Sequence, residues 1–235
     1  MEFLPIGPLA AAIIVIALAE GRPGFLAWGR RLIRWRVGWV WYAVALLLPA
    51  VLVLVTGLTT MALGASAPGL AQLTWNGLLT VFAVRLVNPL DGPRGEEPGF
   101  RGYALPLLQA SRPPLVSAAI LGVLVALWHL PLVLFGGLSV IGLPTTFAIT
   151  FLYVWLFNRT GSSVLLTLLF HNSQGTLHDA FLRLHRSRRR PRGADLLRGR
   201  RPRGSGHCGA GPPGMAQAPR PATAVGRFSF RRRPR

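Results

Sequence analysis

Residues 38–63, GWVWYAVALLLPAVLVLVTGLTTMAL, carry no ionisable side chain except Tyr42. A bilayer core of about 30 Å needs about 20 apolar residues of helix to cross it. The run is long enough, and its opening Trp39, Trp41 and Tyr42 suit an interfacial aromatic belt. Similar runs lie outward on both sides. Residues 3–19 form a first one, broken only by Pro5 and Pro8; Glu2 stands where a signal peptide carries positive charge, so a retained span is expected. Residues 70–90 form a third with one intrusive charge, Arg85, and residues 114–135 and 138–157 a fourth and fifth. Residues 164–182 are a shorter, more polar sixth candidate. No stretch has the strict alternation of a barrel strand, and the other way to satisfy backbone groups in lipid is the helix. The expected fold is therefore all-α, a multi-pass transmembrane helical bundle of about six spans.

Charge divides the chain. The 235 residues carry a net +19, with 51% apolar and only 14% charged residues, where a soluble protein has about a quarter charged. Residues 1–182 hold 10 Arg against 6 acids, while residues 183–235 hold 16 Arg and the single acid Asp195. The first part reads as the transmembrane domain and the second as a basic, low-complexity tail. In that tail 31 of 53 residues are Arg, Pro or Gly, a composition expected to be disordered. Polybasic segments bind anionic lipid headgroups and also nucleic acid without sequence preference; no specific nucleic-acid partner is expected. All 26 basic residues are Arg, as a GC-rich coding sequence favours, which points to a bacterial plasma membrane. The lone Cys208 excludes an intramolecular disulfide and a Cys-rich zinc site.

The positive-inside rule puts the loop at residues 20–37, with Arg22, Arg30, Arg31, Arg34 and Arg36, in the cytoplasm. Counting spans from there puts residues 91–113 inside too. A full sixth crossing would leave the basic tail outside, against the same rule. The preferred reading is that the tail is not a native C-terminus and derives from a frameshifted or mispredicted reading frame.

Ionisable residues beside or within spans are costly and read as functional by default. Three clusters qualify. In EEPGFRGYALP (residues 96–106), a helix begun here would carry Pro98 in its first turn. Glu97 and Arg101, at i and i+4, would pair, and Glu96, turned about 100° away, would be free for other work. In WHLP (residues 128–131), His129 is the only His, Asp, Glu or Arg between residues 114 and 157. In FHNSQGTLH (residues 170–178), Thr167, His171, Gln174, Gly175 and His178 share one helical face. His171 and His178 lie about 10 Å apart along the axis, too far to share a metal. Interhelical hydrogen bonding is the plainer reading of that stripe. Together Glu96, His129 and His171 are the donor types of a His₂Glu zinc site holding an open water position. They equally suit metal-free activation of water by Glu and His. The one-helix motif H-E-x-x-H is absent.

EEPGFRGYALPLLQ, ALWHLPL and LLFHNSQGT, in that order, resemble the CPBP family, intramembrane proteases related to type II CAAX prenyl endopeptidases and to bacteriocin-processing and immunity proteins. The resemblance covers roughly residues 38–176. It implies an intramembrane endopeptidase acting on a peptide or membrane-protein substrate in contact with membrane lipid. By the same resemblance Glu96 polarises the attacking water or joins a metal site, Glu97 and Arg101 complete the first motif, and His129 holds the same water or metal. His171 helps stabilise the oxyanion. A bound divalent ion, zinc by donor type, is one implied mechanism, with Glu96, His129 and His171 as ligands; glutamate-activated water is the other. Two positions depart from the pattern. Val125 stands where the second motif has an aromatic. Gly175 stands where the third has Asn, and Gly has no side-chain donor, so Gln174 on the same face is the expected substitute. Activity reduced by Gly175 is one expectation. The alternative is a catalytically impaired immunity or partner-binding protein of the same fold.

Overall fold

The computed structural model describes residues 5–65 and 74–188, and every regular element among them is helical. In chain order these are α1 (Gly7–Val15), a π-helical turn (Ile16–Glu20), α2 (Gly21–Leu32), α3 (Trp39–Ala62), α4 (Trp75–Val87), α5 (Gly92–Gly99), a second π-helical turn (Phe100–Ala104), α6 (Leu105–Gln109), α7 (Pro114–Trp128), α8 (Leu130–Leu134), α9 (Gly142–Arg159) and α10 (Val164–Arg188). The tail expected to be disordered lies outside the described residues from 189 onward; α10 itself runs on to Arg188.

Three segments of the described residues are long and apolar enough to cross a membrane: Gly7–Leu32, Trp39–Ala62 and Pro114–Leu134. The other three runs read from sequence are represented by α4, at 13 residues, and by the more polar α9 and α10. The first candidate meets the length criterion only as a sum. At Gly21 the backbone takes φ +61°, so the chain turns between the first π turn and α2. Continuous crossing length there is set by α1 and its π turn, Gly7 to Glu20, about 20 Å at 1.5 Å per residue.

α3 is built as a lipid-facing helix should be. Its buried positions are the compact Ala45, Pro49 and Gly57, while Leu47, Leu54 and Leu58 project outward, Leu54 at 61% exposure. With lipid outside, large apolar side chains need no protein cover, and compact residues let helices approach. α10 packs most extensively on α3 and also touches α4, α5 and α9, whereas α7 packs against α9. Two apolar clusters hold this arrangement: Leu105, Leu121, Val125 and Phe157 in one, Ala45, Leu156, Leu166 and Phe170 in the other.

Local sequence explains three departures from expectation. The Arg-rich segment at residues 20–37 is helical over Gly21–Leu32, because Phe25, Trp28 and Leu32 recur at helical spacing. Leu32 packs on the first core cluster, and Phe25 meets Trp28 edge-on. The helix carrying the two Glu residues starts earlier than expected, behind Asp91 with Pro93 at its N-terminus, so Pro98 lies near its end. Proline has no N–H for an i−4 carbonyl, and the chain passes at once into the Phe100–Ala104 π turn, a form often found at functional sites. The fourth apolar run is interrupted: α7 closes at Trp128, His129 caps it, and α8 restarts with Pro131 in its first turn.

Candidate active site

Glu96 and Glu97 are both buried, at 3% and 0% exposure, and they face different neighbours. Glu97 Oε1 accepts from Arg101 Nη1 at 3.0 Å, the expected i,i+4 pair. The same oxygen lies 2.9 Å from His171 Nδ1, a contact between α5 and α10 across 74 residues of chain. One buried carboxylate therefore ties the π turn and α10 together. Glu96 turns instead toward the α7–α8 junction. Its Oε1 accepts from Trp128 Nε1 at 3.3 Å, and its Oε2 lies 3.9 Å from His129 Nε2.

The tautomer of His129 follows from its other nitrogen. Nδ1 sits 2.8 Å from the Val125 carbonyl, which can only accept, so Nδ1 carries hydrogen. In the neutral ring Nε2 then has a lone pair directed at Glu96. A gap of 3.9 Å is too long for a direct hydrogen bond and suits a bridging water.

The helix opening at Asp91 brings Gly92 up to the same place. His171 Nε2 and Glu96 Oε1 lie 3.4 and 3.7 Å from where a Cβ of residue 92 would be. Gly95 and Gly99, one turn apart on the same helix, let α5 meet the start of α1 so closely that a Cβ on either would overlap the carbonyl oxygens of Pro5 and Pro8. This small-xxx-small contact leaves Glu96 and Glu97 free to face the other way. Trp28 Nε1 donates to the Pro98 carbonyl at 2.9 Å, fixing the end of α5 from α2.

A cavity of about 60 Å³ opens at this meeting point, lined by Glu96, Arg101, His129, Tyr153, His171 and Gln174. That is room for more than one water. Each sequence-predicted site residue except Glu97 lines it, and Glu97 lies behind, buried against Arg101 and His171. His178, on the same stripe of α10, is exposed and takes no part in the lining. Asn172 points elsewhere, donating to the Phe82 carbonyl of α4 at 3.0 Å.

Sequence reasoning missed the contribution of α9. Thr146, Thr150 and Tyr153 also line the cavity, and they recur at i, i+4 and i+7. This is the same polar-stripe signal recognised on α10, hidden here by the bulky apolar residues around it. The role of Arg85 was also missed. It bridges Asp91 at 3.1 Å and Asp179 at 3.0 Å, joining α4, the start of α5 and α10.

The donor types present suit a divalent ion, but they are not assembled as a cage. Among the described residues no three His, Cys, Asp or Glu side chains converge to hold a metal. Glu96 and His129 face one another, while His171 has Nδ1 engaged by Glu97.

Comparison with known proteins finds a similarity over part of the chain. Residues 74–174, which run from the cap of α4 to Gln174 and include every residue that lines the cavity, match the Rce1-like family model, the type II CAAX prenyl endopeptidases. That match agrees with the CPBP resemblance of the sequence motifs. No curated relative matches the chain.

Proposed function

We propose that the chain is an intramembrane endopeptidase that hydrolyses a peptide bond in or beside the bilayer with water activated by Glu96 and His129. The observation that carries this reading is the pair of unshared atoms, Glu96 Oε2 and His129 Nε2, facing each other at 3.9 Å across the cavity. Water between them is polarised by both. Glu96 takes its proton as the oxygen bonds to the substrate carbonyl carbon; the C–N bond then breaks and the proton passes to the departing amine. Positioned acid–base groups of this kind contribute about 10²–10⁴-fold in rate.

The oxyanion needs donors. His171, its Nδ1 held by Glu97, and the amide of Gln174 line the same cavity and are the side chains placed to serve it. Glu97 and Arg101 orient rather than react. Among the described residues no three His, Cys, Asp or Glu side chains converge, and in this reading Glu96 and His129 act on the water directly. The bacterial plasma membrane is the proposed location. The alternative is a binding or immunity protein of the same fold, favoured by one observation: Gly175 replaces the expected Asn donor.

The test is turnover of a peptide library by purified protein in bilayers, alongside Glu96→Ala and His129→Ala. Loss of cleavage in both variants with retained folding supports the reading. Cleavage that survives both substitutions sinks the site, and no cleavage by any form favours the binding protein.

A further inference from the structure

Tyr153 is 3% exposed on α9, and it touches the site in three ways. Its hydroxyl donates to Gln174 Oε1 at 2.8 Å. Its ring lies under the Arg101 guanidinium, 4.1 Å from the ring centroid to Cζ, and meets the His171 ring edge-on at 5.8 Å. No other residue among those lining the cavity joins Arg101, His171 and Gln174 at once.

The direction of the hydrogen bond matters. An amide has one oxygen that accepts and one NH₂ that donates. Because the Tyr153 hydroxyl takes the oxygen, the amide plane is set with its NH₂ on the other side. Gln174 Nε2 makes no hydrogen bond to the described residues, while the side chain lines the cavity. A freely rotating glutamine would spend part of its time offering an acceptor to a developing negative charge, which is repulsive. Preorganised donors gain their effect by avoiding that reorientation at the moment of reaction.

We infer that Tyr153 is a positioning residue: its hydroxyl fixes the Gln174 amide so that the NH₂ faces the cavity as a donor to the substrate oxyanion. The inference rests on the hydrolytic reading of the cavity given above and deepens it. It also gives the α9 stripe a purpose beyond burial. A Tyr hydroxyl that merely needed a partner would be content with any acceptor, and its loss would not be felt through Gln174.

The experiment is a double-mutant cycle on the full chain in lipid nanodiscs, with Tyr153→Phe, Gln174→Leu and the double variant. Tyr153→Phe keeps the ring on Arg101 and removes only the hydroxyl. Two readouts are taken: kcat and KM on a cleaved peptide, and affinity for a peptidyl phosphonate, a stable mimic of the tetrahedral adduct that needs no turnover. Thermal unfolding of each variant checks folding. The expected result is a loss of about 10²-fold in kcat for Gln174→Leu, a loss of about ten-fold for Tyr153→Phe, and KM within about two-fold for both. The double variant should be no worse than Gln174→Leu alone, since residues acting through one another do not add. The phosphonate affinities should fall in the same order.

Losses that multiply in the double variant would overturn the inference, as would a Tyr153→Phe variant with unchanged kcat and phosphonate affinity. A wild-type protein that neither cleaves peptide nor binds phosphonate overturns it too. Failure of the hydrolytic reading is told apart by Glu96→Ala: turnover insensitive to that change removes the reaction itself, whereas turnover that needs Glu96 but ignores Tyr153 removes only the positioning role.

Discussion

Arg85 fills the space beside Gly175. A Cβ built on Gly175 would overlap Nη2 of the Arg85 guanidinium and lie 2.7 Å from its Cζ. The residue that looks like a gap in the third motif is therefore a seat for a cation arriving from α4. That cation is neutralised by Asp91 and Asp179 on either side. The absent side chain at 175 and the charge at 85 are one feature, and the start of α5 is held by it through Asp91.

Gly175→Ala is expected to destabilise the protein. On an open helix face the change would gain up to about 1 kcal/mol in helix propensity. Here the new methyl meets a guanidinium pinned by two carboxylates, and overpacking of that kind costs about 1–3 kcal/mol. Thermal unfolding in detergent should show a lower midpoint. Adding Arg85→Ala should make the second substitution less damaging than it is alone, because the clash disappears. Gly175→Asn should give no gain in turnover while Arg85 remains.

Glu97→Gln should be costly to the fold. The carboxylate is fully buried and is the partner of Arg101, itself 2% exposed. Removing one member of a buried pair leaves the other charge uncompensated, at about 3–5 kcal/mol. Equilibrium unfolding of the variant measures it. A loss below about 1 kcal/mol would show that the pair is hydrated and not a structural anchor.

Gly99→Ala should loosen α1 from α5. A methyl there overlaps the Pro8 carbonyl, a backbone atom with no rotamer to yield. Limited proteolysis near residues 5–20 should accelerate relative to wild type, with the unfolding midpoint lowered. Unchanged digestion would mean that α1 is not seated through this glycine face.

Turnover should be insensitive to chelation. Glu96 and His129 face each other, but no third His, Cys, Asp or Glu among the described residues joins them as a ligand. Peptide cleavage is expected to continue after treatment with a strong chelator. A rate abolished by chelator and restored by zinc would instead assign the water to a metal.

What the sequence determined by itself is local. Apolar runs of sufficient length had to become helices, since lipid leaves backbone groups no other partner. The Glu97–Arg101 pair was legible because four residues of helix bring those side chains to one face. The separation of Glu96 from Glu97 was legible from the same geometry. The helical form of Gly21–Leu32 was masked by its arginines, although its apolar spacing carried the signal.

Tertiary structure alone decided which distant groups meet. Glu97 finds His171, Tyr153 finds Gln174, and Arg85 finds Gly175, at separations that periodicity cannot read. The physical reason is that these contacts depend on how close the helices come. That approach is set by glycines that admit a backbone or a guanidinium, Gly95 and Gly99 against α1 and Gly175 against Arg85. A glycine in a sequence says that something can come near; the fold says what does.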